Sequence, residues 1–251
     1  MIDSRRLLQR CWTTCWQTVG DIVFPWICPL CDGPAEGSPF CDACRAELFD
    51  AGGPACVRCA MPLGPFAHAE GGCSECRGHA LGFDAAVALG PYQGPIRDLC
   101  LRLKHEPNAW IAPWLAGLIA EARAEALRDL PRDALIVPVP LHRWREWGRG
   151  YNQADELARG LAKRLALRKV HALRRIEATP SLASLGRAER ARIMRHAFRT
   201  RSRVDLSGRT IVLVDDILTS GATCGAAARA LKKAGAARVV VAVVGRAEGN
   251  A

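Results

Sequence analysis

The sequence predicts an α/β protein, a parallel sheet flanked by helices, preceded by a small cysteine-rich module. Three observations carry this reading. Ile211-Val-Leu-Val214 and Val239–Val244 are uninterrupted apolar runs, and strands without alternation belong to parallel sheets covered on both faces. Helical patterns separate such runs, as in the α/β class. Ten of the twelve cysteines lie before residue 77, so the two parts differ in kind.

Taken in order, residues 1–20 form a first segment. Leu8, Cys11, Trp12, Cys15, Trp16 and Val19 recur at three- and four-residue spacing, which places them on one face of a short amphipathic helix over 4–19. Packing on its own domain is the plainer use of that face; a partner or membrane surface is the other. Residues 21–80 are rich in Gly, Pro and Cys, lack a long periodic segment, and need a staple to fold. Residues 81–251 hold the α/β domain. Strands are expected at Ala85–Gly90, Leu135–Val139 and Val170–Ile176, and helices at Ile111–Leu130 and Ala154–Leu165. A further helix, Ala222–Ala234, carries Lys232 and Lys233 in its last turn, with Gly235 as its stop.

A length of 251 residues holds one large or two modest domains with a sizeable core. Hydrophobic content is 49% and mean hydropathy is +0.01, as in soluble globular chains, and no run approaches the ~20 apolar residues of a membrane span. Arg10, Asp21 and Pro25 interrupt the start, so no secretory leader is expected and the reading is cytoplasmic. The net charge of +10 is uneven. Residues 1–80 hold six Lys+Arg against nine Asp+Glu, and residues 81–251 hold 29 against 16. The basic second part attracts polyanions, either nucleic acid or phosphorylated small molecules.

Cys28/Cys31, Cys41/Cys44, Cys56/Cys59 and Cys73/Cys76 share one internal spacing. A two-residue gap lets a tight turn aim both sulfurs at one tetrahedral ion, and two turns complete a four-cysteine site. Eight ligands make two structural zinc sites, a double zinc-ribbon-like arrangement. Sequential pairing and interleaved pairing fit the spacing equally well. Disulfides need an oxidising compartment, and a thioredoxin-like site uses one pair, not four.

The chemistry-bearing segment follows the first apolar run. Asp215 and Asp216 fall at the carboxyl end of a buried parallel strand, where open α/β sheets bind ligands. The next residues lead into a helix whose first N–H groups and dipole suit a phosphate. Thr219, Ser220 and Thr223 add hydroxyls, Ala222 opens the helix, and Gly221 lets backbone come close to a ligand. Acids for a diol and a hydroxylated turn for a monophosphate describe a ribose-5-phosphate site. A nucleotide P-loop is excluded, because Gly-Lys occurs nowhere, and Gly148-Arg-Gly150 does not complete a dinucleotide fingerprint.

Segment 211–223 resembles the signature of type I phosphoribosyltransferases. With the cysteine pairs, the chain looks like the ComF (competence protein F, ComF/GntX) family. The likeness runs through Phe24–Cys31, Phe40–Cys44, Tyr92–Ile96, Leu103-Lys104, Val137–Leu141 and Arg149–Gln153. It implies a type I phosphoribosyltransferase fold. It also implies that Asp215 and Asp216 hold the ribose hydroxyls of phosphoribosyl pyrophosphate (PRPP) as the catalytic pair. The residues from Thr219 to Thr223 would take the 5-phosphate, Arg149 and Lys104 would join the PRPP contacts, and magnesium would accompany the ligand. Thr179–Phe198 matches the family's lid, with Leu182 and Ile193 where relatives carry Gln and Asn. That loss of polar groups bears on turnover more than on ligand binding.

Arg187, Arg190, Arg192, Arg195, Arg199, Arg201 and Arg203 fall within 17 residues. A solvated basic face, a lid over pyrophosphate and a nucleic-acid track all fit them. Trp144 and Trp147, among Arg143, Arg145 and Arg149, offer stacking or packing. Two functions follow. One is a phosphoribosyltransferase (a glycosyltransferase) using PRPP and magnesium, linked to DNA uptake in natural competence and to nucleotide metabolism. The other is a non-catalytic accessory protein of transformation that binds single-stranded DNA or competence-machinery proteins, with a vestigial PRPP pocket.

Overall fold

The computed structural model describes residues 26–64, 71–141, 150–176, 192–194, 196–201 and 204–248. The helix expected over 4–19 therefore lies outside the described residues, as do Arg149, Trp144, Trp147, Leu182 and the arginines at 187, 190, 195 and 203. The chain divides into two compact units, Met1–Glu47 and Leu48–Ala251. This boundary falls inside the expected 21–80 module, between its two cysteine groups.

In the first unit, β1 (Trp26–Ile27) and β2 (Pro34–Ala35) pair antiparallel around the first cysteine turn. Cys28 N donates to Gly33 O at 2.8 Å and Asp32 N to Cys28 O at 2.9 Å, closing the turn, and Asp32 takes a left-handed φ of 55°. Helix α1 (Asp42–Asp50) starts beside Cys41 and runs past the end of this unit.

The second unit is built on a parallel sheet. Its strands are β3 (Ala85–Pro91), β4 (Leu135–Pro138), β5 (Arg168–Lys169), β8 (Thr210–Val214) and β10 (Arg238–Arg246), in the spatial order β3-β10-β8-β4-β5. The short β9 (Ile217–Leu218) adds to β10. All of these pairings are parallel. Ile211, Leu213, Val239, Val241 and Val243 join one apolar cluster with Ala227 and Leu231. Their alternates Val212, Val214, Val240 and Ala242 are equally buried. Burial of both faces explains the unbroken apolar runs.

Helices α2 (Gly94–Arg102), α3 (Ala112–Ala122) and α5 (Gln153–Leu165) cover the sheet together with α6 (Ala222–Lys233). Helix α3 meets α5 closely. A Cβ on Gly160 would stand 2.6 Å from Ala116 Cβ, so only glycine fits there.

Two expectations change. The helix read as continuous over Ile111–Leu130 breaks at Arg123 (φ −117°, ψ 24°), and a short α4 (Ala124–Arg128) follows. Arg123 Nε donates to Ala88 O at 2.6 Å and its Nη groups reach Leu89 O and Gly53 O at 3.2 Å each. These tertiary bonds outweigh helix continuation. The strand read at Val170–Ile176 is only β6 (Leu173–Arg175), which leaves the main sheet and pairs antiparallel with β7 (Phe198–Thr200).

Candidate functional site

The connections leaving β4 and β8 run in opposite directions, through α5 to β5 and through α6 to β10. The carboxyl ends of these neighbouring strands therefore flank a topological switch point, where open sheets bind ligands. Val139 N donates to Val214 O at 2.9 Å, holding the two strand exits together. Asn152 fixes the β4 side, with its Nδ2 donating to Val139 O at 3.1 Å and its Oδ1 accepting from Ala154 N at 3.0 Å as the cap of α5. The Tyr151 hydroxyl donates to Leu103 O and lies 3.3 Å from His105 O, flanking Lys104.

Asp215 and Asp216 leave β8 as the sequence predicts. Asp215 N donates to Ala242 O at 3.1 Å, and Asp216 O accepts from Val244 N and Gly245 N at 3.1 Å each. The two carboxylates also fold back on the chain, Asp215 Oδ1 accepting from Asp216 N at 2.9 Å and Asp216 Oδ1 from Ile217 N at 2.8 Å. Cys224 Sγ lies 3.7 Å from Asp215 Oδ2. Asp215 keeps some solvent exposure, yet desolvation, and then the charge on Asp216, push its carboxyl pKa well above the usual carboxylate range. Cys100 backs the pair, its Sγ 3.9 Å from Asp216 O. Burial raises the Cys100 pKa; the charge on Asp216 adds to the rise and that on Lys104 opposes it.

The turn after β9 enters α6 through Gly221, whose φ of 78° favours glycine. The helix start is anchored from behind. A Cβ on Gly225 would meet Leu81 O at 2.2 Å, and one on Gly82 would meet Gly225 O at 2.6 Å. Among the described residues, the backbone N–H groups of Thr219, Ser220, Gly221 and Thr223 have no hydrogen-bond partner, and that of Ala222 faces Ser220 Oγ at 3.5 Å. The structure thus brings together the acids and the hydroxylated turn.

The four cysteine pairs resolve sequentially. Cys28, Cys31, Cys41 and Cys44 form one group, Cys56, Cys59, Cys73 and Cys76 the other, with the sulfurs of each group within 4.8 Å of one another. Separations of 3.7 Å (Cys31–Cys41), 3.7 Å (Cys56–Cys76) and 3.4 Å (Cys59–Cys73) approach the ~3.8 Å edge of a tetrahedron built on ~2.3 Å zinc–sulfur bonds. Burial opposes charge on Cys28 and Cys56. Backbone N–H donors, from Cys41, Leu30 and Cys31 in one and Cys59, Cys73 and Arg58 in the other, nonetheless bring each thiol down to about 7. Such donors suit thiolate ligands.

Comparison with known proteins matches this geometry. Residues 19–77 fit the double zinc ribbon domain and residues 149–249 the phosphoribosyl transferase domain. "Competence protein F" of Haemophilus influenzae is 30% identical over 205 residues, covering 80% of this chain and 87% of that protein. The chain belongs to the competence protein F family. "DNA utilization protein YhgH" of Salmonella typhi is 32% identical over 225 residues, covering 88% and 96%. Its Escherichia coli K12 counterpart is 31% identical over 228 residues with the same coverage. A family member is thus a phosphoribosyltransferase-like protein with two four-cysteine centres. No helix among its described residues is long and apolar enough to cross a membrane.

Sequence reasoning missed Arg246. It is 3% exposed and donates from Nε to Cys59 O at 2.8 Å and from Nη1 to Leu218 O at 3.0 Å, Thr219 O at 2.8 Å and Ala247 O. The only local signal was a guanidinium closing the apolar run of β10.

Proposed function

We propose that this protein binds PRPP with magnesium at the carboxyl end of β8, as a cytoplasmic phosphoribosyltransferase-like component of DNA uptake. The observation that carries the reading is the uncommitted N–H set of Thr219, Ser220, Gly221 and Thr223, beside two carboxylates on the same strand exit. Carboxylates accept from a vicinal diol, and N–H groups at a helix start donate to a phosphate. A ribose 5-phosphate carries both on one ring. Lys104 and Arg149 complement the pyrophosphate. Magnesium, when bound with this ligand, neutralises pyrophosphate charge. The names of the relatives, competence and DNA utilization, supply the setting. Calorimetry with PRPP and magnesium tests the reading. Heat of binding is expected for the wild type and at least a ~10-fold loss of affinity for Asp216→Asn. No heat with the wild type removes the proposal.

A groove favours a second, compatible reading. Ile176, His196, Phe198, Arg199, Arg229 and Lys233 line a cavity of about 730 Å³ between β7 and α6. The cationic side chains of Arg199, Arg229 and Lys233 suit the phosphates of a single-stranded nucleic acid.

A further inference from the structure

Arg246 stands between two centres that the sequence keeps far apart. A buried guanidinium is costly to desolvate unless its donors are satisfied. Here the acceptors are main-chain carbonyls: one from the second cysteine group, two from the entrance to the phosphate turn, and that of the next residue, Ala247.

Those carbonyls set the direction of the turn's donors. A trans peptide points its C=O and N–H to opposite sides, and the described chain contains no cis bond. With Leu218 O and Thr219 O held inward by Nη1, the N–H groups of Thr219 and Ser220 must face away from Arg246. These are two of the uncommitted donors of the turn.

The other end of the guanidinium is held by the knuckle. Cys59 is a member of the second four-cysteine group. Its carbonyl direction depends on the tight turn Cys56–Cys59, closed by Ala60 N donating to Cys56 O at 2.7 Å and by a left-handed Ala60 (φ 58°). A non-glycine residue holds that conformation only where its surroundings impose it. Two backbone bonds, Ala60 N to Cys56 O and Cys56 N to Met61 O at 2.8 Å, hold it there, and the Cys56 and Cys59 sulfurs on the same turn join it to the four-cysteine group.

We propose that Arg246 is a positioning residue for the phosphate turn, and that through it anion affinity at Thr219–Thr223 depends on an intact second four-cysteine site. The inference rests on the reading of the turn as a PRPP site. It predicts coupling between two features that the family comparison treats as separate domains.

The test uses the full chain, with Arg246→Lys and Cys76→Ser beside the wild type. Two readouts are taken: affinity for PRPP with magnesium, and hydrogen exchange without ligand at the Gly225 and Ala247 amides, which donate to Gly221 O at 2.7 Å and to Leu218 O at 3.0 Å on either side of the turn. Both variants are expected to bind about tenfold or more weakly, as for loss of hydrogen bonds to a charged group, and to exchange these amides at least tenfold faster. If Cys76→Ser does not fold, Arg246→Lys decides alone, because it keeps the charge and loses the fork. Wild-type affinity and exchange in Arg246→Lys overturn the proposal. A wild type that binds no PRPP ends the functional reading instead, while the exchange comparison still decides whether Arg246 orders the turn.

Discussion

The Cys224 thiol lies 3.7 Å from Oδ2 of Asp215, and the pKa values of both groups are pushed upward. Burial, followed by the charge on Asp215, raises the thiol pKa well above its ordinary value. Desolvation, followed by the charge on Asp216, does the same to the acid. The S–H donates to an oxygen that a ligand diol would need as an acceptor.

Proton release on ligand binding follows. Gripping ribose hydroxyls calls for the carboxylate, and a raised Asp215 pKa opposes that form, so affinity for PRPP with magnesium should rise with pH through the folded-state pKa, with proton release below it. Calorimetry in two buffers of different ionisation enthalpy should give different heats for the wild type and equal heats for Asp215→Asn. The sign for stability is opposite. A carboxyl with a raised folded pKa stabilises fully below its unfolded value of ~3.9, and that stability is lost as pH rises through the folded value. Asp215→Asn should therefore melt no lower than wild type at neutral pH, although it loses ligand.

Metal content should be about two zinc ions per chain by elemental analysis. Cys56→Ser should lose one of them and lower the melting temperature, since a site missing a ligand forfeits binding energy that is also folding energy. A value near zero in freshly reduced protein would refute the assignment of both centres.

The groove between β7 and α6 makes a separate prediction. Replacing both Arg199 and Lys233 with Glu should weaken single-stranded DNA binding and flatten its salt dependence by roughly 0.7 per lost phosphate contact. PRPP calorimetry should be unaffected. An unchanged salt slope in a gel-shift series would exclude the groove as the contact surface.

Gly225→Ala should destabilise the larger unit by ~1–3 kcal/mol, the range for forcing an extra methyl into a filled space. Its new Cβ would press on Leu81 O, which is main chain and cannot swing aside. Chemical denaturation measures it, and a shift below ~0.5 kcal/mol would show that the start of α6 can yield.

Much of the site could be read before any coordinates. The acids, the turn and Gly221 are contiguous, so strand burial and helix entry fix them by local rules, and the cysteine turns are equally local. Pairing between the cysteine turns was not legible, because sequential and interleaved arrangements share the same short spacing. The break at Arg123 escaped notice because its cause lies 34 and 35 residues away, at Leu89 and Ala88. The departure of β6 from the sheet depends on β7, across a long polar segment with no strand pattern. Arg246 was invisible for the same reason. Its partner at Cys59 is 187 residues distant, and a lone arginine after valines has no periodicity to betray it.

The division at Glu47 and Leu48 puts the two sulfur clusters in different compact units. A stretch that matches one double zinc ribbon is thereby shared between two units. Stripping its ions gradually should trace a staircase of two treads, and only the tread belonging to Cys56, Cys59, Cys73 and Cys76 should coincide with melting of the sheet.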